Sequence, residues 1–67
     1  MGNAVREHKI SPLLRRPEVE RLTGLRKTAI YEQMAAGTFP QPRRISVRCV
    51  AWVAAEVEEW IAARPTR

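Results

Sequence analysis

The side chains best suited to chemistry in this 67-residue chain are cations without acidic neighbours. Between residues 37 and 53 the charge is +3, from Arg43, Arg44 and Arg48 with no acidic residue. Arg26 and Lys27 form a second basic pair directly after a Gly-Leu step. A guanidinium offers two parallel donors that match O6 and N7 of guanine, and any cation can contact a phosphate. With a net charge of +5 and a pI near 10.7, the chain is predicted to bind a polyanion, most often nucleic acid. The alternative is surface charge that serves only solubility, and the absence of acids from residues 37–53 argues against it.

Catalytic chemistry is not predicted. The sequence has one His, one Cys and seven acidic residues, all of them Glu, and it has no glycine-rich phosphate loop. His8 has no partner at a spacing typical of metal ligands. Cys49 is alone, which excludes an intramolecular disulfide and favours the role of a small buried apolar residue. We therefore expect neither an enzyme nor a metal or cofactor site.

A short helix and a glycine turn precede the first basic pair. Helix one is predicted over residues 17–23, because Pro17 is tolerated in a first turn, where no intrahelical donor is lost. Val19 and Leu22 lie three residues apart and are predicted to form its buried stripe. Gly24 can adopt the positive φ that a tight helix exit needs.

Helix two is predicted over residues 26–36, with Ile30 and Met34 facing inward. Arg26 and Lys27 lie at its N-terminal end, the part of a recognition helix that meets base edges. The same geometry turns four residues outward: Thr28, Tyr31, Glu32 and Ala35. Thr28 could contact a thymine methyl or a phosphate. Two roles remain open for Tyr31, packing against the following hairpin or contacting a phosphate.

A basic hairpin follows helix two. Pro40 and Pro42 exclude a helix there. Residues 43–45 and 49–52 are predicted to be two short strands, with Arg48 at or near the tip of the connection. An Arg at such a tip could enter a narrow minor groove or make a nonspecific phosphate contact.

The last helix is acidic. It is predicted over residues 54–63, with Val57, Trp60 and Ile61 facing the core and a charge of −3 from its three Glu. Phe39, Trp52 and Trp60 are predicted to form the centre of the core. Residues 53–55 offer no side chain that caps a helix well.

Together these elements predict a mainly α domain with a small β-hairpin, a winged helix-turn-helix of three helices plus a wing, over residues 13–63. Residues 1–12 are predicted to be a flexible arm and residues 64–67 a tail. The geometry is typical of sequence-specific binding to duplex DNA. The predicted DNA contacts are Arg26, Lys27, Thr28, Tyr31, Arg43, Arg44 and Arg48.

The ordered set of motifs in this chain resembles the AlpA family of phage and prophage regulators. The resemblance covers about residues 13–62, and its most specific part is GTFPQP, followed by R-x-x-x-W and then by EVEEWI. Further matching fragments are LLR, PEV, LTGL and IY in the first half of the chain. At position 26 the family usually has a Ser that caps helix two, and here that position is Arg26.

The resemblance implies a compact winged helix-turn-helix, related to MerR-type DNA-binding domains and to excisionases. It implies helix two as the recognition helix and Arg43, Arg44 and Arg48 as wing contacts. It also implies control of mobile-element genes, or directional control of excision.

Three hypotheses for function remain open on sequence alone. The first is a transcriptional regulator of a phage or mobile element, and the second is a recombination directionality factor that bends attachment-site DNA. The third is a protein-interaction module that acts through the acidic helix. We expect binding as a homodimer or a cooperative array on repeats, with RNA polymerase or an integrase as a partner of helix three. No apolar run is long enough for a membrane span, and a cytoplasmic, nucleoid-associated location is expected.

Overall fold

The computed structural model describes residues 12–66. The elements are, in chain order, β1 (Leu13–Leu14), α1 (Arg16–Thr23), α2 (Lys27–Ala36), β2 (Arg43–Ser46), β3 (Cys49–Val53) and α3 (Ala54–Ala62). The predicted fold is confirmed: three helices and a small antiparallel hairpin form a winged helix-turn-helix. The predicted arm lies outside the described residues except for Pro12.

A left-handed glycine ends each of the first two helices. Gly24 and Gly37 both have φ of 79°, and each amide N–H donates to a carbonyl of the helix it closes. A Cβ on either glycine would meet nothing within 4 Å, so the conformation rather than crowding favours glycine there. Thr23 tightens the first turn, since its hydroxyl donates to Val19 O at 2.8 Å and accepts from the Leu25 amide at 3.1 Å.

The sheet has one strand more than the predicted hairpin. Its order is β1-β3-β2, and both pairs are antiparallel. In the first pair, Leu13 and Leu14 lie opposite Val53 and Trp52. A strand of two residues is too short to show an alternating pattern, which is why the sequence did not predict it.

The core is built from one buried residue of each helix, one of β3 and one of the segment before the hairpin. Its buried members are Val19, Ile30, Phe39, Trp52 and Val57, and four residues pack around them: Leu14, Leu25, Met34 and Trp60. The Trp52 indole N–H donates to Pro40 O at 3.0 Å, so the largest buried side chain is also satisfied in its polar atom. Burial of Val19, Ile30, Phe39, Trp52 and Val57 confirms those predictions.

Three predicted core residues lie further out. Leu22 is 48% exposed and Ile61 is 36% exposed, so predicting them as core residues was wrong. A domain of this size has one small core, and a short helix can bury little more than its central residue against it. Trp60 is only partly buried, at the margin and not the centre: its ring packs edge-on against Phe39, with centroids 4.9 Å apart.

The acidic helix starts without a side-chain cap, as its sequence indicated. Val53 is the N-cap residue and its side chain makes no capping hydrogen bond. The chain instead passes directly from β3 into α3, and the Ala54 amide donates to Pro12 O at 2.9 Å. A backbone carbonyl from the β1 side therefore satisfies one donor of the first turn. Within residues 12–66, no helix combines the length and apolar character that crossing a membrane requires.

Candidate nucleic-acid interface

The first turn of α2 presents polar side chains to solvent. Arg26 is its N-cap residue, with φ of −94° and ψ of 170°, and its carbonyl accepts the Ile30 amide at 3.0 Å. Arg26, Lys27 and Thr28 are all exposed. Because Ile30 is fully buried, α2 is oriented about its axis with Ile30 toward the core and these three polar side chains toward solvent. Lys27 and Tyr31 are four residues apart and so lie on one face of α2.

The wing is the β2–β3 hairpin, with Val47 and Arg48 in its turn. Arg44 lies opposite Val50 in the antiparallel pair, so their side chains share one face of the hairpin. The register shifts between Arg44 and Ser46, which marks a bulge that twists the strand near the tip. Val47 is 85% exposed, which makes the tip a protruding structure.

A cleft of about 310 Å³ joins the wing to the two helices. Three of its lining residues are arginines, and none is a carboxylate: the wall is formed by Arg15, Arg16, Pro17, Tyr31, Arg48 and Val50. The cleft thus brings together the start of α1, the middle of α2 and the turn of the wing. Its chemistry is that of a small anion site, with guanidinium donors and a phenol hydroxyl.

Most cations of the first turn of α2 and of the wing have no carboxylate partner. Within residues 12–66, the ion pairs are Arg16 with Glu20, Arg21 with Glu18 and Arg43 with Glu56. Two of these pairs join residues of α1 to each other, and the third involves the wing. The remaining cations of the first turn of α2 and of the wing are therefore available to an external anion: Arg26, Lys27, Arg44 and Arg48. Glu32, also exposed on α2, is the acidic residue closest in sequence to this set.

Arg43 differs from its neighbour Arg44. It lies opposite Ala51 and therefore on the other face of the hairpin. Its Nη2 atom lies 2.8 Å from Glu56 Oε2 on α3, and its Nη1 atom lies 3.5 Å from Glu56 Oε1 and 3.2 Å from Gln41 O. This guanidinium is held by three acceptors of its own chain.

The domain carries a second, more open depression, which shares no lining residue with the cleft. It lies between the segment 37–40 and α3, and its walls include Phe39, Trp60, Glu56 and Glu59. The Trp60 indole N–H donates to Thr38 O at 2.7 Å, and the Arg64 guanidinium lies 4.3 Å from the Trp60 ring centroid. This surface is acidic and aromatic, which makes it a poor surface for a polyanion.

Comparison with known proteins places this geometry in a family. The sequence profile described as "Prophage CP4-57 regulatory protein (AlpA)" matches residues 12–65. The chain belongs to the AlpA family. Among curated relatives of this AlpA-family chain, the DNA-binding transcriptional activator AlpA of Escherichia coli (strain K12) is 34% identical over 58 residues. That match covers 78% of this chain and 83% of the relative. The uncharacterized protein ORF88 of Enterobacteria phage P4 is 43% identical over 51 residues, which cover 76% of this chain and 58% of the relative.

The AlpA-family chain brings some of its predicted site residues together and separates others. Tyr31 and Arg48 line one cleft, and Arg44 lies on the same face of the hairpin as the cleft residue Val50. The first-turn residues Arg26, Lys27 and Thr28 are exposed on α2, as predicted. Arg43 alone lies on the opposite face of the hairpin.

Sequence reasoning missed two charged residues of the cleft in this AlpA-family chain. Arg15 and Arg16 directly precede and begin α1, and neither was predicted to contact DNA. A basic doublet just before a proline-started helix was the available signal. The sequence did not indicate that this doublet lies close in space to the wing. Arg48 and Val50, which complete the same cleft, come more than thirty residues later in the chain.

Proposed function

We propose that this AlpA-family chain is a sequence-specific, DNA-binding transcriptional regulator of a phage or mobile genetic element. The single observation that carries the proposal is a set of four exposed cations on the first turn of α2 and on the wing that lack carboxylate partners within residues 12–66: Arg26, Lys27, Arg44 and Arg48. An array of unpaired cations on one helix end and one hairpin matches the two contact elements of a winged helix-turn-helix. The relative from Escherichia coli, itself a DNA-binding transcriptional activator, supports the same function.

In the proposed complex, α2 lies in the major groove with its N-terminal turn toward the bases. Arg26 donates two hydrogen bonds to a guanine, and Lys27 and Thr28 contact a neighbouring base edge or a phosphate. Tyr31 lies one turn further along and contacts the backbone. Ile30 holds these side chains in position from the buried side of the helix.

The wing lies along the flanking groove. Arg48, in its turn, enters the minor groove, where the negative potential of a narrow groove attracts a guanidinium. Arg44 contacts a phosphate from the face that it shares with Val50. Arg43 was predicted as a third wing contact, and it could reach DNA only by sharing or leaving Glu56.

A monomer of this size contacts few base pairs, so genomic specificity requires more than one copy. We propose binding as a homodimer or a cooperative array on repeated sites. The acidic α3 lies away from the proposed DNA face and is the surface for a protein partner such as RNA polymerase or an integrase. Its exposed Glu58 and Glu59 would repel DNA but can face a basic protein surface.

The decisive experiment is selection of binding sites from a random duplex library at near-physiological salt. An enriched motif of a few base pairs, repeated at a fixed spacing, is the expected result. Inverted repeats would indicate a dimer, whereas direct repeats would indicate an array and would call for an excision assay with a purified integrase. A folded protein that enriches no motif would contradict specific recognition.

Salt dependence tests the electrostatic part of the proposal separately. With about five cations on phosphates, log K falls with log salt with a slope of roughly −4 to −5. Fluorescence anisotropy with a labelled duplex at several salt concentrations measures this slope. A slope near zero would show that the basic surface does not contact the DNA backbone.

A further inference from the structure

We propose that the cleft between α1, α2 and the wing is a binding site for one backbone phosphate of duplex DNA, with Arg15 as its principal ligand. The cleft adds a contact to the proposed function and rests on it. It is lined by three guanidinium groups and a tyrosine, and by no carboxylate. A volume of about 310 Å³ is roughly ten times the 30 Å³ that one water molecule occupies in the liquid, so a hydrated phosphate fits.

Arg15 is the residue best placed to act. It is exposed, and within residues 12–66 the contact of its guanidinium is a long one, from Nη2 to Cys49 Sγ at 3.6 Å. A thiol sulfur is a weak acceptor, and a phosphate would replace it at a gain, because its oxygens are anionic and can accept two parallel guanidinium donors. Arg16 uses its Nε atom for Glu20, at 3.0 Å, so its Nη donors are not engaged in that bond.

The position of the cleft explains why one phosphate there would matter. Tyr31 belongs to the proposed recognition helix and Arg48 to the turn of the wing, and both line the cleft. A phosphate between them is held by the two elements that enter adjacent grooves. Such a contact sets the register of the domain on the duplex but does not distinguish bases.

The test compares Arg15→Ala with Arg21→Ala by anisotropy on a specific and a scrambled duplex. Both arginines belong to the first helical region, but Arg21 is paired with Glu18 and does not line the cleft. Arg15→Ala is expected to weaken binding roughly tenfold on both duplexes and to reduce the salt slope by about one. Arg15→Lys keeps the charge and is expected to restore the slope, and Arg21→Ala is expected to leave it unchanged.

Two failures are distinguishable. A steep wild-type slope that Arg15→Ala does not change would overturn the phosphate site and leave the proposed DNA binding intact. A flat wild-type slope would overturn the proposed function itself. Phosphate-ethylation interference gives an independent result: one interfering phosphate should disappear in Arg15→Ala, and an unchanged pattern would also reject the site.

A different observation carries a second inference. We infer that Arg43 and Glu56 form a positioning pair that fixes the wing relative to the rest of the domain. Arg43 lies on the hairpin face away from Arg44, and its guanidinium bonds to Glu56 on α3 and to Gln41 O. The Gln41 side chain in turn donates from Nε2 to Met34 O at 3.1 Å, near the end of α2. The contacts therefore run without a gap from the recognition helix through the first wing strand to α3.

Glu56 would then have an unusual role for an acidic residue of a DNA-binding domain. Removing a carboxylate ordinarily tightens binding to a polyanion, because it removes repulsion. If Glu56 positions the wing, Glu56→Gln instead weakens binding, by about twofold to fivefold for a pair that is 54% and 37% exposed. The salt slope should stay the same, since no phosphate contact is removed.

Glu58→Gln is the matched control, because Glu58 is an exposed residue of the same helix and belongs to none of the ion pairs within residues 12–66. It is expected to leave affinity unchanged or slightly increased. The double variant Arg43→Gln/Glu56→Gln should bind no more weakly than either single variant, since both remove the same interaction. Tighter binding by Glu56→Gln with a steeper slope would instead show that Arg43, once released, is a direct phosphate contact.

Discussion

The two sides of this domain use arginine in opposite ways. On the proposed DNA side, Arg26, Arg44 and Arg48 have no carboxylate partner within residues 12–66. On the α3 side, the cations are engaged: Arg43 is held by Glu56, and Arg64 covers the Trp60 ring. Both sides are exposed and both carry guanidinium groups, so composition alone does not separate them.

The partner of a cation, and not its charge, therefore indicates its role. A guanidinium that is already satisfied contributes to local structure, and removing it leaves a carboxylate unpaired. An unsatisfied one is solvated in the free protein and exchanges water for a phosphate or a base on binding. Arg43 and Arg44 are adjacent in sequence and belong to different classes because successive residues of a strand face opposite ways.

Loss of the central tryptophan should unfold the domain and so disrupt both of its sides. Trp52→Ala deletes the largest fully buried side chain and its hydrogen bond to Pro40 O, at a cost of about 3–5 kcal/mol. A domain of this length has only roughly 3–10 kcal/mol of stability in total, so the variant should be largely unfolded and should not bind DNA. Urea denaturation followed by circular dichroism measures the loss. Leu22→Ala is the apolar control, and its free energy of unfolding should fall by less than about 1 kcal/mol because Leu22 is half exposed. Similar losses in both variants would mean that Leu22 belongs to the core.

Two arginines of the proposed DNA side should differ in how their loss changes DNA affinity and base preference. Arg26→Ala should cost about 1–3 kcal/mol on the selected site and relax the preference at one base pair. Arg44→Ala should weaken binding to all duplexes alike and reduce the salt slope by about one. Anisotropy on the selected site and on single-base variants of it measures both. If Arg26→Ala weakens all sequences equally, Arg26 is a phosphate anchor and base recognition lies elsewhere on α2.

The helices and their turns could be predicted because their signals are local. Val19 and Ile30 mark buried faces, and Gly24 and Gly37 supply the two left-handed helix ends. The basic character of the wing could be predicted as well, since residues 37–53 contain three arginines and no acidic residue. In these respects adjacent residues carry the information.

The pairing of charges could not be predicted, because it depends on contacts between distant parts of the chain. Glu56 lies thirteen residues after Arg43, and their side chains come within 2.8 Å only because β3 pairs with β2 and then leads directly into α3. The strand Leu13–Leu14 was missed for a related reason, since besides its shortness its evidence is a partner strand far along the chain, at Trp52 and Val53. The cleft that includes Arg15 combines three elements, and no single segment indicates it.

At one residue of the proposed DNA side, a single substitution should change stability and DNA binding in opposite directions, and the change in stability should be small. Arg26 is the N-cap of α2, where its extended backbone is suited to capping but its side chain makes no capping hydrogen bond. A cation at that end also opposes the helix dipole. Arg26→Ser should therefore raise the free energy of unfolding by about 0.5–1 kcal/mol, because the serine hydroxyl can accept an amide N–H of the first turn. The same change removes the proposed guanine contact, so specific binding should weaken although the protein is more stable.

Urea denaturation and anisotropy on one preparation measure both quantities, and Arg26→Ala serves as the control because it removes the cation without adding a cap. The serine and alanine variants should bind alike and differ in stability. A serine variant that retained wild-type binding would show that the Arg26 guanidinium makes no base contact, which would then have to come from Lys27 or Thr28. A serine variant with a higher free energy of unfolding and a lower DNA affinity would instead show that the unpaired arginine at this cap serves recognition at the expense of helix stability. The two sides of the domain differ in the same way, because one uses its arginines for binding and the other for structure.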